Sequence, residues 1–384
     1  MSWQEKAISD LGKVVTGKTP STKNREFYDG EFPFVTPTDL DWQSYFVRTT
    51  HSTITKLASD QHKNQMLPAG ATTFTCIGNT IGKCGITAET SLTNQQINSI
   101  VPNDEHDKRF VYYLMLHNKD AIRSIGLSGG AAQPIINKST FSNVKVRVPD
   151  LPTQERIAGV LSAYDHLIEN NRRRIALLEQ AARLLYREWC VHFRFPGFET
   201  AKFVDGLPEG WEVRKVKDLL ARLKSKPTVR KDEYQEYGQW PCVDQGQDFI
   251  GGYTDNREAI YHDGLPLIVF GDHTRALKFV DFPFARGADG TQIIQSNEER
   301  LPQELFYFSL INVDLSNYAY ARHFKFLKDK EIIIPTEGLG KSFSERARAV
   351  FDQVRTLRDQ NRKLAKARDL LLPRLMDGRL PIPE

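Results

Sequence analysis

From Ile157 the chain repeats apolar residues at alternating steps of four and three: Ile157, Leu161, Tyr164, Ile168, Asn171, Ile175, Leu178, Ala182, Leu185 and Trp189. Nine of these ten are apolar, and a 3.5-residue period held this long predicts a helix with a coiled-coil seam. A second run near the C-terminus, Val350, Val354, Leu357, Asn361, Leu364, Arg368, Leu371 and Leu375, keeps the same steps with a weaker seam. Leu151-Pro152 suits the opening turn of the first helix, and Ser342-x-x-Glu345 is a capping-box pattern that starts the second. Gly378 is a C-terminal cap, and Pro373 is expected to bend or loosen the last turns.

Two unrelated amphipathic helices on separate cores would rarely keep so strict a spacing, so the two are expected to pair with each other. Asn171 and Asn361 then lie level, where a buried amide pair fixes register at some cost in stability. Antiparallel pairing brings the intervening residues back to the end they left from. A parallel pair would force the chain across a rod of about 50 Å, at 1.5 Å for each of some 35 residues.

Self-similarity extends beyond the helices. Trp3-Gln-Glu-Lys-Ala-Ile-Ser-Asp-Leu11 matches Trp211-Glu-Val-Arg-Lys-Val-Lys-Asp-Leu219, and Pro33-Phe34-Val35 matches Pro241-Cys242-Val243. Glu155-Arg156 and Asn171-Arg172 recur as Glu345-Arg346 and Asn361-Arg362. The chain therefore reads as a tandem of two units with different loop lengths. Within the units, Thr72–Ile77 with Gly85–Glu89, and Pro266–Phe270 with Ala276–Val280, read as strand pairs; Asp107–His117 and Pro302–Ile311 read as helices. The expected fold class is α+β: two pseudo-twofold-related globular domains, residues 1–150 and 195–341, separated by two long antiparallel helices forming a coiled coil, residues 151–194 and 342–384.

Composition narrows the picture only a little. The 384 residues are 40% hydrophobic, enough for two or three globular domains. No window approaches the roughly 18 apolar residues of a membrane span, and Met1-Ser-Trp-Gln-Glu lacks a secretory pattern, so no membrane association and a cytoplasmic location are expected. Cys76, Cys84, Cys190 and Cys242 form no C-x-x-C pair and read as ordinary reduced thiols. A net charge of +4 is too small to argue for nucleic acid, and any such argument rests on local patches.

Catalytic patterns are scarce. Pro335-Thr-Glu-Gly-Leu-Gly-Lys341-Ser342 imitates a phosphate-binding loop, but proline replaces its first glycine and the segment serves better as a helix start. No dinucleotide fingerprint, zinc-protease motif or nucleophile elbow is present. Nor is there an Asn/Asp-Pro-Pro-aromatic tetrad. The histidines lack ligand spacing: His51 with His62, or His262 with His273, could pair around a metal, but a solvated surface is the better reading. No covalent chemistry, metal site or cofactor is therefore expected in this chain.

What remains is duplicated recognition. The loops hold basic residues beside amides and aromatics: Lys18, Lys23, Arg25 and Gln133 in the first unit; Lys224, Lys226, Arg230, Arg275, Lys278, Arg322 and Lys325 in the second. Arg and Lys clamp phosphates or guanine edges, and Gln binds adenine edges. Two heads held apart by such a rod reach sites about one and a half DNA turns apart, at roughly 34–36 Å per turn.

Asp150-Leu-Pro-Thr-Gln-Glu-Arg-Ile-Ala158, Leu167-Ile-Glu-Asn-Asn-Arg-Arg-Arg-Ile175, Leu207-Pro-Glu-Gly-Trp211 and Leu370-Leu-Leu-Pro-Arg-Leu375 resemble the specificity (HsdS) subunits of type I restriction-modification systems over essentially the whole chain. The second copy departs from the pattern as Lys341-Ser-Phe-Ser-Glu-Arg-Ala347. The resemblance implies that each globular unit is a target-recognition domain reading half of a bipartite double-stranded DNA target. It implies that the helices space the domains and dock two modification subunits, which bind S-adenosylmethionine and methylate adenine, and that restriction/motor subunits can join them. A non-catalytic coiled-coil adaptor with protein-binding domains is the other class considered. The seam residues expected to carry pairing are Ile157, Leu161, Ile168, Asn171, Ile175, Leu178, Leu185, Val354, Leu357, Asn361, Leu364 and Leu371.

Overall fold

The computed structural model describes residues 3–42, 45–128, 134–317 and 322–380. The chain forms two compact units, Met1–Asn171 with Asp359–Glu384 and Arg172–Arg358. The central helix Leu151–Tyr186 and the terminal helix Glu337–Met376 each cross that division, so each contributes a segment to both units.

In the first unit, Gln4–Ala7 pairs antiparallel with Lys145–Val148. A five-stranded sheet runs Gly12–Thr16, Ile97–Pro102, Thr72–Thr75, Cys84–Thr87, Phe46–Val47, and a three-stranded sheet runs Ser52–Ile54, Tyr28–Val35, Leu92–Thr93. The helix Lys108–Leu127 lays Phe110, Tyr113, Leu114 and Ile122 into one core with Ile157 and Leu161 of the central helix and Leu372, Leu375 and Met376 of the terminal helix. That helix runs well beyond His117, where the pattern expected it to stop, because Ile122 and Gly126 continue its buried face. A Cβ at Gly126 would come within 2.9 Å of Ile136, so glycine there permits close packing rather than marking a helix end.

The second unit repeats these pairings from different residues. Glu212–Lys215 pairs antiparallel with Glu331–Ile334. Leu267–Gly271 is flanked by Leu277–Val280 and Thr291–Ile294, as Thr72–Thr75 is flanked by Cys84–Thr87 and Ile97–Pro102. The parallel pair Cys242–Ala285 and Val243–Arg286 repeats Phe34–Leu92 and Val35–Thr93. Its largest core gathers Phe270, Phe306 and Phe308 around Tyr186 and Trp189 of the central helix and Phe343 and Ala347 of the terminal one.

Within each unit the two helical segments run antiparallel. In the first, the Asn171 amide donates to Asn361 Oδ1 at 3.0 Å, and the Arg368 guanidinium meets the Asp165 carboxylate. In the second, Arg358 reaches Glu179 at 2.9 Å, and Tyr186 and Trp189 set their rings edge-on to Phe343. As one number rises the partner's falls. Ile157, Leu161, Ile168, Asn171, Val354 and Leu357 are buried, while Ile175, Leu178, Leu185, Asn361, Leu364 and Leu371 are half-buried.

Two local expectations need correction. The terminal helix begins at Glu337, before the Ser342 capping box. Pro335 follows directly on the strand Glu331–Ile334, Gly340 N–H already donates to Thr336 O, and acidic Glu337 suits the positive end of a helix. Gly340, inside the helix, packs where a Cβ would stand 2.5 Å from the Arg300 carbonyl oxygen. Pro373 lies inside the helix, which continues to Met376. It closes at Gly378 (φ 70°), with Arg379 N–H donating to Arg374 O and Gly378 N–H to Leu375 O, the paired bonds of a glycine-capped end. At the other seam's end, Trp189 stands on a wider π-turn, Arg187–Val191, which turns Trp189 and Cys190 into the second unit's core.

Burial works against the Arg368 charge, but Asp165 and Asp369 outweigh it and hold the guanidinium above its ordinary pKa. Tyr113 Oη donates to the second Asp165 oxygen at 2.5 Å, so both carboxylate oxygens are engaged. Removing one member of a buried pair strands the other, at a cost of about 3–5 kcal/mol. Arg368→Met is therefore expected to lower the melting temperature sharply, and Arg368→Met with Asp165→Asn to recover part of the loss. Calorimetry of the two variants checks this; equal loss in both would show that packing, not the stranded charge, dominates.

Candidate nucleic-acid interface

In each unit the strands end in loops that hydrogen bonds gather at one end. In the first, Lys18 N–H donates to Thr93 O, Asn94 N–H to Val35 O, and Cys76 N–H to Gln96 O. Thr19 Oγ1 donates to Gln95 Oε1 at 2.6 Å, Gly78 N–H donates to Pro134 O, and Lys83 Nζ reaches the Pro37 carbonyl at 3.4 Å. Segments 17–20, 36–39, 76–83 and 93–96 thus share one end of the sheets. It presents exposed Lys18, Asn79 and Gln95. Burial, then the nearby Lys18 cation, push the His62 imidazole below its usual pKa.

The second unit gathers the corresponding segments. Gln245 is the tie: its amide nitrogen donates to Asp289 O (2.7 Å), its amide oxygen accepts from His273 N–H (3.1 Å), and its carbonyl accepts from Thr274 Oγ1 (2.6 Å). Asp272 N–H donates to Gly290 O, while Asp272 accepts from the backbone N–H groups of His323 and Phe324. Lys226 O accepts from the Arg286 guanidinium, and Val229 N–H donates to Arg286 O. Arg275 sits on the tight turn between two strands at φ 61°, a left-handed backbone unusual for arginine, with one guanidinium nitrogen on Leu315 O. An outlier of that kind at a loop tip is a feature of functional sites.

The sequence candidates separate on this geometry. Lys18, Arg275 and Arg322 are exposed on the gathered ends, with Lys325 exposed on the following helix. Lys226 is half-buried beside Arg286, with Lys224 and Arg230 exposed on the same segment. Lys23 and Arg25 are exposed around the turn Arg25–Phe27, which hydrogen bonds tie to Thr55 instead. Gln133 lies outside the described residues. Lys278 is a correction: it is 5% exposed, with Nζ on the Asp248 carbonyl and 3.8 Å from Asp244, out of reach of a bound strand. Strand alternation turns it inward, and its spacing in the sequence resembles that of a surface cation. His62, read as a solvated residue, is buried as well.

Other residues of these faces escaped the sequence reading. Asn79, Gln95 and Gln247 are exposed on the loops, yet an amide in a loop carries no signal until the fold brings loops together; His273, read as solvated, is exposed beside them. Trp42, 43% exposed, lies with the cations of Lys119 and Arg123 at 5.9 and 5.8 Å from its ring; this pairing joins residues about 80 positions apart in sequence and was invisible there.

A second surface lies on the central helix. Val160 and Leu167 in the first unit, and Leu177 and Leu184 in the second, are exposed and spaced by seven. With Ala163 and Ala181, also exposed, they form apolar rows beside the seam, which a helix buries against another helix. The four cysteines are free and buried, and burial pushes the Cys84 and Cys190 thiols up to about 12. Among the described residues no cluster of three or more His, Cys, Asp or Glu could hold a metal, and no helix is long and apolar enough to cross a membrane.

Comparison with known proteins agrees with this construction. Residues 1–180 match the family model of the type I restriction modification DNA specificity domain. The whole chain is 27% identical over 413 aligned positions to the type I restriction enzyme MjaIX specificity subunit of Methanocaldococcus jannaschii, covering 94% of that relative. Over 44% of the chain it is 34% identical to the HindI specificity subunit of Haemophilus influenzae, covering 38% of it. The fold matches the crystal structure of a type I restriction-modification S subunit from M. genitalium, with a TM-score of 0.57 at 14% identity, across 100% of this chain and 97% of that one.

Each phosphate contact contributes about −0.9 to the slope of log K against log salt. Arg322→Ala is expected to weaken binding to duplex DNA and flatten that slope by about one, measured by fluorescence anisotropy across a salt series. An unchanged slope would remove Arg322 from the interface.

Proposed function

The chain belongs to the family of type I restriction-modification specificity subunits, and from that premise we propose that each of its two units reads one half of an interrupted DNA sequence. The observation that carries this reading is the duplication itself. The same strand pairings and the same gathered loop end are built twice, and the loops differ: Asn94-Gln95-Gln96 follows Thr93 in one unit, where Gly287-Ala-Asp-Gly290 follows Arg286 in the other. A scaffold kept constant while its loops diverge is what two different half-sites require. Base-edge readers must differ where phosphate-positioning groups need not.

In this reading the chain performs no reaction. Its partners would be two methyltransferase subunits, and restriction subunits could join that core in the cytoplasm. S-adenosylmethionine would be held by the methyltransferase partners, which would methylate adenine, and this chain would choose the site. The apolar rows at Val160/Leu167 and Leu177/Leu184 would receive helices of those partners; burying a leucine side chain contributes about 1.5–3 kcal/mol. Spacing of the half-sites would follow from the paired helices.

Mapping methylated adenines in cells that express the methyltransferase partner with or without this chain tests the reading. A bipartite motif should appear only with the chain, and exchanging residues 1–150 for those of another family member should alter one half of it. An unchanged motif would refute the modular reading, and partner binding without any motif would favour a protein adaptor. Leu167→Asp with Leu177→Asp is expected to reduce assembly with the methyltransferase subunits by at least tenfold while leaving the isolated chain folded; light scattering and circular dichroism check both halves of that statement.

A further inference from the structure

Among the described residues Lys278 is the only buried lysine. An ammonium out of water is unfavourable unless anions and carbonyls replace its hydration. Burial lowers its pKa, and Asp244 and then Asp248 act against that shift. The compensating groups belong to one segment: Nζ donates to Asp248 O at 2.5 Å and lies 3.8 Å from an Asp244 carboxylate oxygen.

Asp244 is buried too, and does more than offset the lysine. One of its oxygens accepts from Gly246 N–H at 2.8 Å and the other from Tyr234 Oη at 3.0 Å. The neighbouring backbone is packed so closely that a Cβ at Gly251 would stand 2.7 Å from Asp244, and one at Gly287 2.0 Å from the Tyr234 hydroxyl. Segment 244–248 is thus pinned at both ends from below, and Gln245 bridges it to the turns at 273 and 289. The pinned segment leaves Gln247 and Asp248 exposed at its tip, and of the two Gln247 carries the amide.

Resting on the DNA-reading function above, we propose that Gln247 is a specificity-determining residue of the second unit, its amide meeting an adenine edge. Lys278 is the positioning residue that holds it there through Asp244 and Asp248 without touching DNA. A glutamine amide donates and accepts side by side, matching the acceptor N7 and donor N6 of adenine in the major groove. Such a contact discriminates only if the backbone beneath it is fixed.

The test uses the chain assembled with its methyltransferase partner and duplexes carrying every base substitution through the target, over a salt series. Gln247→Ala should lose about 5- to 150-fold of discrimination at one adenine position of one half-site, with the other half-site unchanged. Lys278→Met should lose discrimination at that same position while keeping the wild-type salt slope, because a buried cation releases no counterions. Tyr234→Phe removes a single bond from Asp244 and should give the same pattern more weakly, which covers the case in which Lys278→Met fails to fold. Full discrimination retained by Gln247→Ala overturns the assignment of that residue. A salt slope flattened by about one in Lys278→Met, or discrimination untouched in both Lys278→Met and Tyr234→Phe, overturns the positioning role. A wild-type assembly that binds every duplex equally overturns the DNA reading itself, and the proposal with it.

Discussion

An amide buried in an apolar seam has to find another amide, and that requirement sets the register of the two long helices. Asn171 meets Asn361 at 3.0 Å, and Asn361 also donates to the Ile168 carbonyl at 3.4 Å. A slip by one heptad would set Asn361 level with Leu178 or Tyr164 and Asn171 level with Arg368 or Val354, and would part the two amides. Asp165 and Arg368, two turns away, impose the same condition with charges. Leucine and isoleucine supply attraction without direction. The polar pairs convert attraction into one alignment of the two helical segments of the first unit.

How much of this was legible in the sequence varies with the kind of signal. The seam was readable because periodicity survives without knowledge of the partner, and the repeat because Trp3–Leu11 and Trp211–Leu219 align residue for residue. The hairpin at 267–280 was readable from two β-branched and aromatic runs around a glycine turn. Termini were less so: a capping box at Ser342 competes with the break at Pro335, and the break decides. Least legible were the faces. Lys278 and Arg275 stand three residues apart, yet one lies under the loops and the other on them, because Arg275 sits on the turn and Lys278 on the strand that follows it, with its side chain turned inward.

The duplicated architecture separates two demands that one set of residues could not meet. The paired strands, with Phe34, Val35, Cys242 and Val243 buried, satisfy packing and tolerate change only in kind. The loops satisfy chemistry at a target and differ between units in length, charge and residue type. Residues 201–340, between the two helices, carry 18 basic and 22 acidic side chains, so this part of the second unit has no general positive field to rely on. Its exposed cations are placed singly at loop tips such as Arg275 and Arg322.

Discontinuity of the first unit has a consequence for biosynthesis. Its core includes Leu372, Leu375 and Met376, which leave the ribosome after the whole of the second unit, itself a single stretch from Arg172 to Arg358. At 5–20 residues per second, roughly 10–40 s pass between the emergence of Ile157 and Leu161 and that of the residues that cover them. The half translated first is completed last, and a chain released before its final helix exposes an apolar groove that chaperones and proteases recognise. Completion of the first unit's core therefore waits on the terminal helix, because three of its hydrophobic side chains fall so late in the order of translation.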